Sequence, residues 1–533
     1  MNAQPLRNVL FIMCDQLRHD HLGFNGHPHL RTPNLDRLAS RSTCFDQAYV
    51  QAGVCGPSRM SYYTGRYVSS HGVTWNRVPL SVAQRTLGDH LRAAGRTFHL
   101  VGKSHVIPDV EGLLRLGVNK GSATWRHVAA GGFTEIDRID GHAEPGPESG
   151  YGDYLRHMGY AGDRPWHDYV ASGVDEQGHT VSGWFLRNVH LPARVREAHS
   201  ETAYVTDTAL AFLERTKDRP FALHLSYVKP HWPYIAPAPY HQTYGPEHML
   251  PIRKHPAERQ DPHPVLAAYQ AMEESITFSD EAVVRQVRPV YMGLIEQVDH
   301  HIGRVLEFLE RHGLMEHTLI VFTSDHGDYG GDHHLGEKDL FHDQVVRVPL
   351  LVHDPRPQAD TTRGQHLDHF VQAIDVAPTL LEALGIRSEE DGLQGMSLLN
   401  GMHGTLDTPD HASLGIGARD CVISEIDYSF RRVRLSLQRR PGECRGWMVR
   451  TRQWKYIHWQ GFRPQLYDLQ HDPYEYMDLG QDPGLEPVRR EMEARLLAWM
   501  AALHPRQSLS DTEVARRTDR AKEHGIYYGT WSP

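Results

Sequence analysis

Five short apolar runs, Val9–Met13, Thr97–Val101, Phe221–Val228, Leu319–Thr323 and Val348–His353, alternate with stretches that carry helical periodicity. A chain patterned this way has few folds open to it. The alternation predicts an α/β architecture, a large and mostly parallel sheet covered by helices on both faces. Several of the helices can be read directly. Thr32-Pro33-Asn34-Leu35-Asp36 reads as a cap with proline at the first helical position, and Ser81–Ala94 reads as a helix closed by Gly95. From Tyr291 onward, Leu294, Ile295, Val298, Ile302, Val305, Leu306 and Leu309 mark one face of a long amphipathic helix ending near Gly313.

Residues 106–195 lack this regularity and are rich in glycine, histidine, proline and aspartate, so they read as a loop-dominated insertion. A polar connection lies near 355–366. Past about 410 the pattern changes to short strands, of which Trp454–His458 is the clearest and Gly446–Arg450 is a second whose register stays open. The expected organisation is a catalytic α/β domain over 1–410, a smaller antiparallel α+β domain over 411–503 that includes a helix Pro487–Leu503, and a polar tail over 504–533. The tail has no core of its own and is expected to pack on the body or at the interface of a homo-oligomer.

Composition narrows the partners. The net charge of −10 excludes nucleic acid or an anionic membrane surface as the main partner, so an anionic substrate requires local cations. Five cysteines, odd in number and without CxxC spacing, fit a reducing compartment rather than a disulfide scaffold. The apolar run at Val9–Met13 is too short for a signal sequence, and no stretch reaches the length of a membrane span, so a cytoplasmic location is expected. The 38 histidines are dispersed rather than gathered in a metal-binding tract.

Within this frame, Val54-Cys55-Gly56-Pro57-Ser58-Arg59 stands out. Pro57 suits a first helical position and Gly65 a helix end, which puts Cys55 at a helix N-terminus, where unpaired N–H groups favour an anion. Taken alone, such a cysteine is a small buried residue or a reactive thiol. Its context is richer. In open α/β sheets ligands collect beyond the carboxyl ends of the strands, and polar residues follow four of the runs: Asp15-Gln16, Lys103 with His105, His231, and Asp325-His326. Asp15, Gln16, Asp325 and His326 together suit one divalent cation held mainly by oxygen, calcium by its oxygen ligands or manganese by its imidazole, and not a structural zinc. Arg59, Lys103 and Lys338 supply charge for a tetrahedral anion, while His105 and His231 are candidates for proton transfer.

These motifs, with Thr32–Asp36, Pro230-His231-Trp232-Pro233, Ser324-Asp325-His326-Gly327 and Leu466-Tyr467-Asp468-Leu469, resemble the formylglycine-dependent sulfatases of the alkaline phosphatase superfamily. The resemblance implies an alkaline phosphatase-like fold and metal ligands at Asp15, Gln16, Cys55, Asp325 and His326. It also implies that a separate formylglycine-generating enzyme oxidises Cys55 to an aldehyde whose hydrate is the nucleophile. Arg59 and Lys103 would then steady the diol and substrate, His105 would assist collapse of the diol, and His231 and Lys338 would serve the substrate oxygens and leaving group. Asn76 would line the substrate site. Gln16 and His326 resemble the phosphonate monoester hydrolases and some alkyl or choline sulfatases, whereas Lys103 and His105 are sulfatase-like. The expected activity is hydrolysis of small anionic sulfate monoesters, with a phosphonate monoester or phosphodiester hydrolase as the alternative and a non-catalytic metal-dependent anion-binding protein as the third reading.

Overall fold

Each of the five apolar runs forms a strand in the computed structural model, which describes residues 4–141, 150–386, 392–403, 419–503, 511–518, 520–525 and 527. The first strands are β1 (Asn8–Asp15), β2 (Thr43–Tyr49), β3 (Phe98–Gly102) and β4 (Thr134–Arg138), followed by a separate hairpin of β5 (Ser172–Val174) and β6 (Thr180–Ser182). Then come β7 (Ala222–Pro230), β8 (Thr318–Ser324), β9 (Leu350–His353) and β10 (His366–Gln372). The large sheet has eight strands in the order β10-β2-β9-β8-β1-β7-β3-β4. All its pairings are parallel except the two made by β9. Because β8, β1, β7 and β3 are adjacent and parallel, their carboxyl ends lie side by side on one edge.

Helices bury both faces. Along β1, Val9, Phe11 and Met13 belong to one apolar cluster and Leu10, Ile12 and Cys14 to the other, as the two-residue period of a strand requires. On the second face lie α4 (Glu201–Thr216) and α5 (Glu281–Arg311), named in a chain order that begins with α1 (Pro33–Ala39), α2 (Cys55–Thr64) and α3 (Leu87–Ala93). The stripe from Leu294 to Leu309 on α5 is buried as expected. The helix nevertheless starts at Glu281, where Asp280 caps Ala282 N–H, rather than near Tyr291. Its first turns are masked in the sequence by Pro289, which reads as a breaker. Similarly α3 starts at Leu87 and not Ser81, because Thr86 and Asp89 form a capping box there.

The 106–195 stretch holds more regular structure than its sequence pattern suggests: helices at Val110–Arg115, Ala123–Ala129 and Gly150–His157, the hairpin, and β4. As the last strand of the sheet, β4 keeps Thr134 and Glu135 exposed, so it carries no apolar run to reveal it.

Beyond the large sheet, β11 (Val422–Asp427), β12 (Arg445–Arg450), β13 (Trp454–Trp459) and β14 (Gln465–Asp468) form a four-stranded antiparallel sheet. Met448 stands opposite Ile457, which fixes the register of β12. One face packs Ile423, Val449, Tyr456 and Leu466 on Met492 and Leu496 of α6 (Glu486–Ala502), the helix expected at Pro487–Leu503. Full burial of a side chain such as Leu466 contributes on the order of 2 kcal/mol. The other face, with Val422, Met448, Ile457 and Trp459, joins the core of the large sheet. Glu425 N–H also donates to Gln51 O (2.7 Å), which fastens β11 to the segment leading into α2. The boundary placed at 410, and half of the 504–533 tail, lie outside the described residues. No described helix is long and apolar enough to cross a membrane.

Candidate active site

Cys55 is the first residue of α2, and Pro57 the third rather than the first. The proline is tolerated there because the opening N–H groups of a helix have no partner within it. Val54 provides no side-chain cap. Asn76 does so from a distance, its Oδ1 accepting from Gly56 N–H at 2.8 Å. Expected as a substrate contact, Asn76 is thus engaged in holding the start of α2. Around the fully buried Cys55 Sγ stand His326 Nε2 (3.1 Å), Lys338 Nζ (3.4 Å) and Asp15 Oδ1 (3.7 Å).

The two carboxylates are oriented by cations on their outer oxygens. Arg59, one turn into α2, donates from Nε to Asp325 Oδ2 (2.7 Å) and from Nη2 to Asp15 Oδ2 (3.1 Å). Its Nη1 donates to Lys103 O (2.8 Å) and Ser226 Oγ (2.9 Å). Lys103 Nζ lies 2.6 Å from Asp15 Oδ2. Lys103 reaches this point because Gly102 turns the chain at φ +101°, where a Cβ would come within 1.9 Å of Ser226 O. Burial alone would push the Asp15 carboxyl up. Lys103, His231, Arg59 and His326 outweigh it and hold Asp15 well below the usual carboxylate range. The inner Asp15 Oδ1 is left 3.8 Å from the Nε2 atoms of both His231 and His326.

Gln16 sits at φ +65° beyond the end of β1, with its N–H on Asp325 Oδ1 (3.0 Å). Its Nε2 donates to Asp328 Oδ2 (2.5 Å) and Tyr234 OH (3.3 Å), which turns Oε1 toward Lys338 Nζ (2.8 Å). Sequence reasoning missed Asp328 and Tyr234. Their only signal is position, three residues after Asp325 and three after His231 respectively. His326 donates from Nδ1 to Gly327 O (2.8 Å) and so presents Nε2 inward. Burial lowers its pKa, but Asp325 and Cys55 pull it up to about 9, a measure of how strongly this cluster attracts positive charge.

That attraction is the test of metal fit. One donor atom each from Asp15, Cys55, Asp325 and His326 lies within 4.8 Å of the others, and all four residues are buried. Hard oxygens, an imidazole and outer-oxygen hydrogen bonds that orient each carboxylate make a donor set suited to a divalent cation. Gln16 Oε1 adds a neutral oxygen at its margin.

Beside the same cluster, His231 Nδ1 donates to Trp232 O (2.8 Å), and its Nε2 accepts from Lys338 Nζ (2.9 Å). Lys338 is buried, yet Cys55, Glu337 and Asp15 keep its pKa raised and the ammonium charged. His105, at φ +58°, is fixed through its N–H to Asp140 Oδ1 (3.0 Å). Burial, then the fields of Lys103 and Arg59, push its pKa well below 6.5 and hold the imidazole neutral. The four strand ends thus bring Asp15, Gln16, Cys55, Arg59, Lys103, His231, Asp325, His326 and Lys338 into one connected set. His105 lies within its field, and Asn76 is attached through the helix backbone.

Among characterised proteins, the chain is 31% identical over 517 residues to the multifunctional alkaline phosphatase superfamily protein PehA of Trinickia caryophylli, covering 92% of this chain and 95% of the relative. It is 29% identical to an arylsulfatase of Clostridium perfringens over 73% of this chain and 77% of that one. Its structure superposes on the phosphonate monoester hydrolase SpPMH from Silicibacter pomeroyi with a TM-score of 0.81 at 25% identity, covering 94% of this chain and 96% of the other. The family model for sulfatases matches residues 7–386, and the chain belongs to the sulfatase family of sulfuric ester hydrolases.

Proposed function

We propose that the chain cleaves small sulfate monoesters with a formylglycine diol at position 55 and one divalent cation. The observation that carries this reading is that Cys55 Sγ touches both the acidic cluster, through Asp15 and His326, and Lys338, which is itself bonded to His231. Asp15, Gln16, Asp325, His326 and the modified residue 55 would hold the cation, calcium or alternatively manganese. When bound it would supply Lewis-acid polarisation of the nucleophile and an ester oxygen.

The residues divide the reaction between them. In-line attack by one diol oxygen on sulfur forms the new S–O bond as the alcohol departs. Lys338 and His231, joined by a 2.9 Å hydrogen bond, are placed to give the departing oxygen a proton. Arg59 holds the outer oxygens of Asp15 and Asp325, and Lys103 that of Asp15, which orients the inner oxygens for the cation. The sulfate ester left on residue 55 then breaks down. Neutral His105 takes the proton of the second diol hydroxyl, the C–O bond to sulfate breaks with its electron pair leaving on sulfate, and the aldehyde returns. Water enters by rehydrating that aldehyde.

A second reading, phosphonate monoester hydrolysis with the same groups, is favoured by the Gln16 and His326 pairing and by the likeness to SpPMH. Parallel kinetics on an aryl sulfate and phenyl phosphonate separate the two, and the sulfate is expected to give the higher kcat/KM. Mass spectrometry of the peptide bearing residue 55, from protein made in its own host, is expected to show the aldehyde in place of the thiol. A fully retained thiol in active protein would sink the diol mechanism. Elemental analysis of the same sample is expected to find one equivalent of calcium, and manganese in its place identifies the alternative.

A further inference from the structure

We infer that Arg431, which follows the first strand of the small C-terminal sheet and its turn Tyr428–Phe430, is a positioning residue for Lys338. The inference rests on the assignment of Lys338 to the leaving group. Lys338 is flanked by Glu337 at φ +62° and Asp339 at φ +96°, two non-glycine residues with left-handed backbone on either side of it. Such a loop persists only where its surroundings hold it. Arg431 does so by touching both flanks: its Nε pairs with Asp339 Oδ2 (2.5 Å) and its Nη2 lies 3.5 Å from Glu337 Oε2. Nη1 lies 3.6 Å from Glu274 Oε1.

The guanidinium also ties this loop to the nucleophile helix. It lies over the ring of Trp75 (5.5 Å), the residue preceding the helix-capping Asn76, and the neighbouring Phe430 ring stacks on Trp75 at 6.2 Å. Asp339 N–H donates to Gly53 O (3.2 Å), two residues before Cys55. Arg431 itself is placed by the turn Tyr428–Phe430 that follows β11. Three carboxylates thus converge on one guanidinium, and Asp339 is only 1% exposed. With Arg431 present, Glu337 and Asp339 are neutralised and the Lys338 ammonium remains aimed at Cys55, Gln16 and His231. With it absent, those carboxylates compete for the same ammonium from the next residues along the chain.

The test measures kcat/KM across aryl sulfates whose phenols span a wide range of acidity, for Arg431→Ala, Arg431→Lys, Lys338→Ala and the Lys338→Ala/Arg431→Ala double variant. Lys338→Ala is expected to steepen the dependence on leaving-group pKa, since a poor leaving group relies most on proton donation. Arg431→Ala is expected to steepen it in the same sense, with roughly 10- to 100-fold loss for the poorest leaving group and a few-fold loss for the best. Arg431→Lys is expected to fall between, because one ammonium cannot span both carboxylates. In the double variant the Arg431 change is expected to add little. A loss uniform across the series, or no loss, overturns the assignment of Arg431. If Arg431→Ala fails to fold, Arg431→Lys decides by the same slope. A flat Lys338→Ala series removes the leaving-group role of Lys338 and this inference with it, whereas a steep Lys338→Ala series beside a flat Arg431 series overturns Arg431 alone.

Discussion

Cys55→Ala is expected to lower kcat on 4-nitrophenyl sulfate by roughly 10⁵- to 10⁶-fold, the scale on which removal of a nucleophile acts. The substitution removes one buried atom at the first turn of α2 and leaves the cap from Asn76 to Gly56 N–H in place. The thermal midpoint should therefore shift by no more than a few degrees. Loss of turnover in a folded protein separates a nucleophile from a packing residue, which would show the reverse pattern. Cys55→Ser sharpens the result. A serine hydroxyl can attack sulfur, but the ester it forms has no second hydroxyl for His105 to deprotonate. Alcohol release is then expected to stop near one equivalent per site. Continued turnover by the alanine variant would contradict the assignment of residue 55.

The strand ends are legible in the sequence because buried parallel strands read as apolar runs, and the residues just past each run lie at the edge where ligands collect. Asp15, Lys103, His231 and Asp325 stand out this way, and the structure gathers them around α2. The spacing of apolar residues along α5 is equally clear, since one face of a long helix repeats enough times to stand out. The parts that stay hidden depend on contacts remote in sequence. Asp328 and Tyr234 orient the Gln16 amide across separations of 312 and 218 residues, and nothing but their position shortly after Asp325 and His231 marks them. Asn76 stands out in the sequence, but its cap on Gly56 N–H does not, because a side chain distant in the chain does what the preceding residue, Val54, cannot. β4 is hidden for a different reason: an exposed edge strand needs no apolar face.

Arg59 shows how far the site and the fold are one construction, and its replacement carries the second large expected effect. Its guanidinium reaches Asp15 at the end of β1, Asp325 beyond β8, Lys103 O beyond β3 and Ser226 on β7, so one side chain joins four strands to α2. It is fully buried. Arg59→Ala leaves Asp325 without its cation in a water-excluded site, which costs about 3–5 kcal/mol. At roughly 2–4 °C per kcal/mol for a large domain, the thermal midpoint should fall by about 6–20 °C. The sign of the pH dependence comes from Asp15. Its folded pKa lies below the model-peptide value of 3.8, partly through Arg59, so its stabilising contribution is complete above that pH and fades as pH drops through the folded value. The deficit of Arg59→Ala against the native chain should therefore be full at neutral pH and narrow below about pH 4. Arg59→Lys keeps the charge but cannot point donors at four groups, so it should recover part of the midpoint while kcat/KM stays at least about 100-fold down. Calorimetry across pH and kcat/KM at pH 7 test both parts. A variant with native midpoint and native rate would show that the four strand ends hold their geometry without Arg59.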